Sequence, residues 1–217
     1  MSGGEAEAAR RRMLAEQIVA RGVRAPRLLA ALGGVPRERF VLLDDLAWAY
    51  ADGPLPIGHG QTISQPYIVA VMTELLCLQG GERLLEVGTG SGYQAAVLGE
   101  LATEVHTLEL YPDLARRAAK LLAELGYTNV HVHAGDGSLG WPESAPYDGI
   151  LVAAAAPDVP PPLLEQLAEG GRLVLPVGSR GFQKLQVWRR RGAEFEHTDG
   201  LPVAFVPLRG EHGWRTA

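Results

Sequence analysis

The sequence has few of the features that secreted and membrane proteins need. It contains a single cysteine, Cys77, so no disulfide can form within the chain. Cys77 lies in the apolar run LLCL (residues 75–78), where we expect it to act as a small buried hydrophobe. No apolar run approaches the ~20 residues of a membrane-spanning helix, and the N-terminal residues are polar and charged, unlike a signal peptide. These absences predict a cytoplasmic protein with no membrane partner.

The chain also lacks an excess of positive charge. Lys and Arg number 20 against 25 Asp and Glu, which gives a formal net charge of −5 at pH 7. Proteins that hold a nucleic-acid backbone usually carry a basic excess, because phosphate contacts supply much of the affinity. The two arginine runs, residues 10–12 and 189–191, are short, and we interpret them as solvated surface. Nucleic acid is therefore a disfavoured partner, and nothing in the sequence indicates an obligate protein partner.

The composition is that of a globular chain, with 47% hydrophobic and 21% charged residues. Apolar residues at helical spacing predict helices over much of residues 5–46, and residues 50–61 are dense in Gly and Pro and predict a loop. A helix is expected after the sequence SQP (residues 64–66). We expect residues 1–80 to form a helical extension and substrate-side segment packed on an α/β domain of residues 81–217, the two making one folding unit.

From residue 83 onward, short apolar strands alternate with amphipathic helices. This rhythm is typical of βαβ units with right-handed crossovers. It predicts an α/β fold: a doubly wound, mostly parallel sheet of the Rossmann-like type. The predicted strands cover residues 83–87, 104–108, 130–133, 147–152, 172–176, 185–190 and 203–206. The predicted helices between them cover residues 93–101 and 113–125, and a segment through Leu163, Leu164 and Leu167.

The loop after the first of these strands, EVGTGSGY (residues 86–93), indicates a cofactor site. Ligands of such sheets bind beyond the carboxyl ends of the strands. A dinucleotide fingerprint would need glycine at position 93, which is Tyr93; the third glycine comes one residue earlier, at Gly92. A carboxylate at Glu86 is favourable beside the sulfonium and ammonium of S-adenosyl-L-methionine and unfavourable beside a pyrophosphate. The loop therefore predicts S-adenosyl-L-methionine, with S-adenosyl-L-homocysteine as the product.

Two more acids follow the next two strands. Glu109 is suited to accept hydrogen bonds from ribose hydroxyls, and Asp136, between Gly135 and Gly137, from an adenine amine. Each alone could be a helix cap or a solvated carboxylate, but acids at successive strand ends together indicate a binding site. The expected cofactor-binding residues are Glu86, Gly88, Thr89, Gly90, Ser91, Gly92, Glu109, Leu110, Asp136 and Gly137. No metal site is predicted, because His131 and His133 have no third ligand at usable spacing.

With these residues in view, the chain resembles the protein-L-isoaspartate O-methyltransferase family of bacteria from about residue 13 to residue 208. The most specific segment is GQTISQP (residues 60–66), which lies outside the cofactor loop. Further matches are VPRERF (35–40), LEVGTGSGY (85–93), GGRLVLPVG (170–178) and FVPL (205–208). The chain departs from the family at His59, where Gln or Phe is expected, and at Ala204, where several members carry Arg.

The resemblance implies a repair reaction, in which a methyl group passes to the free α-carboxylate of an L-isoaspartyl residue. The ester then cyclises to a succinimide, which hydrolyses in part to aspartate. The family match implies that Ser64 lies beside the transferable methyl and positions the carboxylate, although a serine before Gln65 and Pro66 also suits a helix N-cap. The expected substrate-binding residues are Thr62, Ile63, Val206 and Leu208.

Three other readings stay open on the sequence alone. The chain could be another carboxyl or small-molecule methyltransferase of the same fold, because a fold fixes its cofactor better than its substrate. It could be a non-catalytic S-adenosyl-L-methionine-binding module, which predicts cofactor binding without turnover. A nicotinamide-dependent oxidoreductase is opposed by the glycine spacing and by Glu86.

Overall fold

The computed structural model describes residues 2–215 and begins with a helical segment. Ser2 caps the first helix through a reciprocal contact with Glu5, and Pro occupies the first turn of the second, third, fifth and sixth helices, where its missing N–H would have no partner. The α-helices are α1 (Gly3–Arg12), α2 (Pro26–Gly34), α3 (Pro66–Leu75), α4 (Tyr93–Gly99), α5 (Pro112–Glu124) and α6 (Pro161–Glu165). A π-helical turn (Met13–Ile18) and 3-10 turns (Val19–Arg21, Arg37–Phe40, Leu43–Trp48, Gly137–Leu139, Pro142–Ser144) complete the helical structure.

The strands form one hairpin and one large sheet. They are β1 (Leu55–Gly58), β2 (Gln61–Ile63), β3 (Arg83–Val87), β4 (Glu104–Glu109), β5 (Val130–Ala134), β6 (Tyr147–Val152), β7 (Leu167–Ser179), β8 (Phe182–Arg191) and β9 (Glu194–Val203). The sheet has the order β5-β4-β3-β6-β7-β8-β9. Its first five strands are parallel, and β8 and β9 extend it antiparallel. The predicted α/β fold with a mostly parallel sheet and a helical N-terminal segment is confirmed.

Both faces of the central sheet are covered, as its strand sequences require. Successive side chains of a strand point to opposite faces, and Leu84 and Leu85 of β3 enter two different core clusters. Leu84 packs in the cluster that contains Leu98 of α4, and Leu85 in the cluster that contains Leu163 of α6. All four side chains are completely buried. Parallel strands covered on two faces read as continuous apolar runs, which is why these strands were predictable.

Four predictions about local structure are wrong, one of them the loop at residues 50–61, where the structure has most of the β1–β2 hairpin. Leu167 belongs to β7 and not to the preceding helix, which ends at Glu165. The last strand covers Glu194–Val203, so Val206 lies beyond it in an irregular segment. Cys77 is exposed, because the chain leaves α3 through a left-handed turn (φ 57°) at that residue and turns its side chain outwards. None of the helices in the described part of the chain is long and apolar enough to cross a membrane.

The β1–β2 hairpin lies against α5, in a region predicted to be a loop. Ile57 of β1 is fully buried, and its carbonyl accepts a hydrogen bond from Arg117 at 3.2 Å. His59, at the tip, contacts Asp113 at 2.7 Å and stacks on the ring of Tyr111 with 4.7 Å between centroids. These contacts bring residues 61–64 to the carboxyl edge of the sheet.

Candidate active site

The glycine loop after β3 makes a tight turn that only glycine allows at low cost. Gly88, Gly90 and Gly92 all have positive φ angles, of 95°, 53° and 90°. The N–H of Gly88 donates to the carbonyl of Leu108 at 2.8 Å, which ties the loop to the end of β4. A Cβ on Gly90 would lie 3.1 Å from Ile57 Cδ1, so the hairpin approaches this loop closely.

An open cavity lies between this loop, the hairpin and the carboxyl ends of β4 and β6, with about 790 Å³ of space when the solvent at its mouth is included. It contains seven of the expected cofactor-binding residues: Gly88, Thr89, Gly90, Ser91, Glu109, Leu110 and Gly137. It also contains the expected substrate-side residues Thr62, Ile63, Ser64, Val206 and Leu208. Three expected cofactor residues, Glu86, Gly92 and Asp136, do not line it.

Glu109 is the carboxylate that faces the cavity. It is almost fully buried at the end of β4. One oxygen accepts the N–H of Gly90 at 2.8 Å, and the other accepts the N–H of Tyr111 at 3.0 Å. A carboxylate offers about four acceptor positions, so Glu109 shapes the loop and keeps capacity for a ligand hydroxyl.

Glu86 lies beneath the loop and is completely buried. Its Oε2 accepts a hydrogen bond from Thr107 Oγ1 at 2.5 Å, and the hydroxyls of Thr107 and Thr89 are hydrogen-bonded at 2.6 Å. Its Oε1 has no hydrogen-bond partner among residues 2–215. Burial raises the pKa of Glu86 to about 8, and the nearby Glu109 adds to the rise. A direct contact between Glu86 and the cofactor stays a prediction.

Asp136 organises the chain around Gly137. Its Oδ1 accepts from the N–H of Ser138 at 2.9 Å and its Oδ2 from the N–H of Glu211 at 2.7 Å. The second bond draws the C-terminal segment over this edge of the sheet. Gly137 itself must be glycine, because a Cβ there would lie 2.5 Å from Val87 Cγ1.

These residues fit S-adenosyl-L-methionine. The cavity offers one carboxylate, Glu109, together with apolar walls, and glycines let the backbone approach a ligand closely. Among the described residues that line it, the one cationic side chain is Arg209. The cavity therefore offers a cationic cofactor a hydrogen-bond acceptor in Glu109. It does not offer the set of anion-binding groups that a pyrophosphate would need.

A second open cavity adjoins the first, with about 1140 Å³ of space when the solvent at its mouth is included. Four residues line both cavities: Thr62, Ser64, Ala153 and Val206. The second cavity is otherwise lined by Pro54, Gln65, Ile68, Pro202, Val203, Ala204 and Phe205, none of them charged. Ser64 thus lies where the two cavities meet.

The structure excludes the interpretation of Ser64 as a helix N-cap. The N-cap of α3 is Gln65, and no side chain makes a capping hydrogen bond there. Ser64 therefore does not cap the helix. Its hydroxyl, half-buried between the cavities, is free to serve a ligand.

Sequence reasoning missed eleven residues that line the first cavity: Gln61, Val69, Val87, Tyr93, Gln94, Leu108, Tyr111, Ala153, Ala154, Pro207 and Arg209. Val87, Leu108 and Ala153 lie at or directly after the carboxyl ends of strands, where the fold alone directs ligands. The others reach the cavity through tertiary packing and give no local signal.

The two histidines on β5 pack against a third. His106 Nδ1 and His133 Nε2 are 3.0 Å apart, and the ring of His131 lies 5.1 Å from that of His106. Trp141 stacks on His133 with 4.0 Å between centroids. Residues 2–215 contain no group of three or more His, Cys, Asp or Glu that could hold a metal ion.

The fold, the glycine loop and the strand-end carboxylate define the class of protein: an S-adenosyl-L-methionine-dependent methyltransferase. The family described as protein-L-isoaspartate(D-aspartate) O-methyltransferase (PCMT) matches residues 9–213. The chain is 56% identical over 207 residues to protein-L-isoaspartate O-methyltransferase 2 of Marinobacter nauticus, covering 94% of each chain. It therefore belongs to the protein-L-isoaspartate(D-aspartate) O-methyltransferase family.

Solved structures agree with this assignment. A protein-L-isoaspartate O-methyltransferase superposes with a TM-score of 0.85 at 28% identity, covering 94% of this chain and 67% of the other. A structure from Plasmodium falciparum, assigned to the same family and in complex with S-adenosyl-L-homocysteine, has the same fold. Its TM-score is 0.79 at 23% identity, covering 94% and 98% of the two chains. The resemblance and the cofactor expected from the sequence are confirmed.

Proposed function

We propose that this enzyme methylates the free α-carboxylate of L-isoaspartyl residues in damaged peptides and proteins, and so begins their return to aspartate through a succinimide. S-adenosyl-L-methionine, when bound, supplies a methyl group activated by its sulfonium. The observation that carries the proposal is the position of Ser64 where the cofactor cavity meets the uncharged second cavity. A carboxylate in one cavity can meet a methyl donor in the other only at that junction.

The lining of the two cavities favours a carboxylate as the acceptor. A carboxylate has a pKa near 4 and is ionised at neutral pH, so it needs no general base. Among the described residues no histidine, lysine or cysteine lines either cavity. The lining acid, Glu109, is held by two backbone N–H groups. An alcohol or amine substrate would need a base, and the only other ionisable side chains of the described lining are those of Tyr93, Tyr111 and Arg209.

We assign the protein's work to positioning. Ser64 is expected to donate its hydroxyl hydrogen to one carboxylate oxygen, and Glu109 to accept from cofactor hydroxyls. The apolar walls of the second cavity, such as Ile68 and Phe205, exclude water from the anion. Orientation of this kind is worth roughly 7–11 kcal/mol in favourable cases, which is enough to make a reactive carboxylate attack selectively.

The second cavity suits a peptide. Its walls are apolar or uncharged over Pro202, Val203, Ala204 and Phe205, and we propose that an extended peptide lies along them and pairs with the backbone near Ala204. We propose that Thr62, Ile63, Val206 and Leu208 form the substrate rim. Uncharged walls and backbone contacts would accept many sequences around the isoaspartyl residue.

The first experiment measures base-labile methyl transfer from labelled S-adenosyl-L-methionine to two peptides that differ in one linkage, isoaspartyl or aspartyl. We expect label on the isoaspartyl peptide alone. Ser64→Ala should lower the rate by about 10-fold or more, while S-adenosyl-L-homocysteine binding, measured by calorimetry, stays unchanged. The loss corresponds to one hydrogen bond to a charged group, about 1.5–3 kcal/mol.

Each other outcome points elsewhere. Equal labelling of both peptides, or of a different carboxylate only, would identify another carboxyl methyltransferase. Cofactor binding with no transfer to any acceptor would indicate a non-catalytic binding module. Full activity in Ser64→Ala would leave the activity standing but remove Ser64 from it.

We further propose that residues 1–80 and 81–217 form one folding unit, located in the cytoplasm. Met13, Ile18 and Leu32 from the first segment share a core cluster with Leu98 and Val105 from the second, which supports a common core. A single unfolding transition seen by both fluorescence and far-UV dichroism would agree with this, and two separate transitions would contradict it. The single cysteine is in keeping with a reducing compartment, and cell fractionation tests the location.

A further inference from the structure

Arg37 is the largest completely buried side chain of the molecule's described part. Its Nε donates to the carbonyl of Ala49 at 2.7 Å, and its Nη2 donates to the carbonyl of Ser64 at 2.8 Å. Its Cζ lies 4.8 Å from the centre of the Tyr93 ring. Arg37 therefore touches two residues of the active site, Ser64 by a hydrogen bond and Tyr93 by stacking.

No described carboxylate pairs with this cation, which is unusual for a buried charge. Its Nη1 is buried and has no hydrogen-bond partner among residues 2–215. Arg10, a comparable arginine of the same N-terminal segment, lies 3.5 Å from Glu38. A buried charge without a counter-ion is costly, and proteins usually neutralise it. Guanidinium groups stay protonated in proteins, so Arg37 keeps its charge although burial lowers its pKa.

The charge of Arg37 lies close to the residues that separate the two cavities. Ser64 lies between the cofactor cavity and the second cavity, and Tyr93 forms part of the cofactor cavity's wall. The Arg37 guanidinium lines neither cavity but contacts both residues, through the backbone carbonyl of Ser64 and the ring of Tyr93. Since the surroundings are buried and apolar, its field is screened far less than that of a surface arginine.

We propose that Arg37 is a positioning residue that supplies, from behind Ser64, the positive charge that selects a carboxylate over an uncharged group at the cavity junction. The inference rests on the proposed function, since it assigns a counter-charge to that reaction's substrate. It explains both why the cation is unpaired and why it is bound to Ser64. The other charges facing the cofactor cavity are Glu109 and Arg209, and Arg209 is the competing source of positive potential.

The test compares two peptides of one sequence that carry either isoaspartate or isoasparagine, its neutral carboxamide. The affinity of each is measured by calorimetry in the presence of S-adenosyl-L-homocysteine. For Arg37→Gln we expect the preference for the carboxylate peptide to fall on the order of 10-fold relative to the unmodified enzyme. Arg37→Lys, which keeps the charge, should retain more of that preference. Arg10→Gln serves as the matched control and should retain it, and Arg209→Gln tests the competing source of positive charge.

A merely structural role for Arg37 predicts a different result. Loss of the hydrogen bonds to Ala49 and Ser64 would loosen the junction and weaken both peptides equally. An unchanged preference in Arg37→Gln, or a preference lost in Arg209→Gln instead, overturns the inference while the methylation assay still supports the function. If the unmodified enzyme fails to distinguish isoaspartyl from aspartyl peptides, the proposed function fails and this inference fails with it.

If Arg37→Gln does not fold, a measurement on Arg209→Gln, which keeps Arg37 and removes the competing charge, decides the matter. The pKa of a 13C-labelled isoaspartyl carboxyl group is followed by NMR in the complex with S-adenosyl-L-homocysteine. A positive charge behind Ser64 should hold this pKa below the value of the free peptide. A pKa equal to or above the free value would overturn the proposal.

Discussion

Glu86 offers a sharp test of the electrostatics beneath the glycine loop. Its carboxyl group is fully buried and accepts one hydrogen bond, from Thr107 Oγ1 at 2.5 Å. Burial raises its pKa from an ordinary value of 4.5 to about 8. We therefore expect the enzyme without cofactor to hold Glu86 protonated at neutral pH.

This shift makes stability depend on pH in a defined direction. The unfolded chain loses the Glu86 proton near pH 4.5 and the folded chain near pH 8, so folding takes up a proton between those values. The contribution of Glu86 to the free energy of unfolding is greatest below pH 4.5 and is lost as the pH rises toward 8. At 1.36 kcal/mol for each pKa unit, the loss between pH 5 and pH 8 is about 3–4 kcal/mol.

Glu86→Gln removes the titration and keeps the shape of the protonated acid. Its amide adds a buried unpaired N–H, which costs about 1–3 kcal/mol at every pH. We expect urea unfolding to show that the unmodified protein loses about 3–4 kcal/mol of unfolding free energy between pH 5 and pH 8 that the variant does not lose. The difference between the variant and the unmodified protein should therefore shift by that amount in favour of the variant. Parallel curves for the two proteins would refute the reasoning.

Glu104→Gln is the matched control on the neighbouring strand. Glu104 is partly exposed, and the hydrogen bond from Arg83 at 2.6 Å lowers its pKa. Its contribution is therefore complete above its unfolded pKa and is lost only as the pH falls below it. The Glu104 carboxylate itself therefore adds no slope from pH 5 to pH 8. The difference between this variant and the unmodified protein should change over that range by much less than the Glu86 effect, and only through His106, whose pKa the Glu104 charge raises against the lowering effect of burial.

Two further substitutions test the packing around the site. Gly137→Ala would place a Cβ 2.5 Å from Val87 Cγ1, and we expect it to lower the free energy of unfolding by about 1–3 kcal/mol and to weaken cofactor binding in calorimetry. Gly135→Ala would meet nothing within 4 Å and should change neither, so equal losses in both variants would contradict the steric argument. Thr73→Val removes the hydroxyl that accepts from Gln94 Nε2 at 2.9 Å, which should cost about 1–3 kcal/mol in urea unfolding. An unchanged midpoint would show that Gln94 finds another partner.

The centre of the sheet could be predicted from the sequence because its physical requirement is local. Strands β3 and β6 match the predicted residues 83–87 and 147–152 at both ends. A parallel strand buried on two faces needs a continuous apolar run, and the helices beside it need apolar residues at helical spacing. Each requirement can be recognised from a short stretch of consecutive residues.

The sheet's last strand could not be predicted, because it lacks that signal. Strand β9 is exposed along most of its length and, apart from Phe195, is polar from Glu194 to Asp199, so no continuous buried face imposes an alternation. Its pairing with β8 is what makes it a strand. Leu167 was misassigned for the opposite reason, since its spacing from Leu163 and Leu164 suits a helix although β7 already begins there.

The candidate site divides in the same way. The glycine loop is a local turn, and its spacing predicted the cofactor class correctly. Ser64 came from the family resemblance, and its location between two cavities required the hairpin, the glycine loop and the segment after β9 to meet. Arg37 lies 27 residues before Ser64. Nothing in the sequence indicates the hydrogen bond between these two residues.

The three strand-end acids were predicted as ligands, and the structure shows a prior task for each. Glu109 accepts backbone N–H groups from both loops that flank it, Asp136 ties the C-terminal segment to the sheet, and Glu86 supports a threonine beneath the glycine loop. A loop at the end of a parallel strand has N–H groups that no strand satisfies, and a nearby carboxylate is a strong acceptor for them. Acids at strand ends therefore first build the cavity. Glu109 can do both, because it lines the cavity and has lone pairs to spare, so a pattern of acids locates the site more reliably than it identifies which acid touches the ligand.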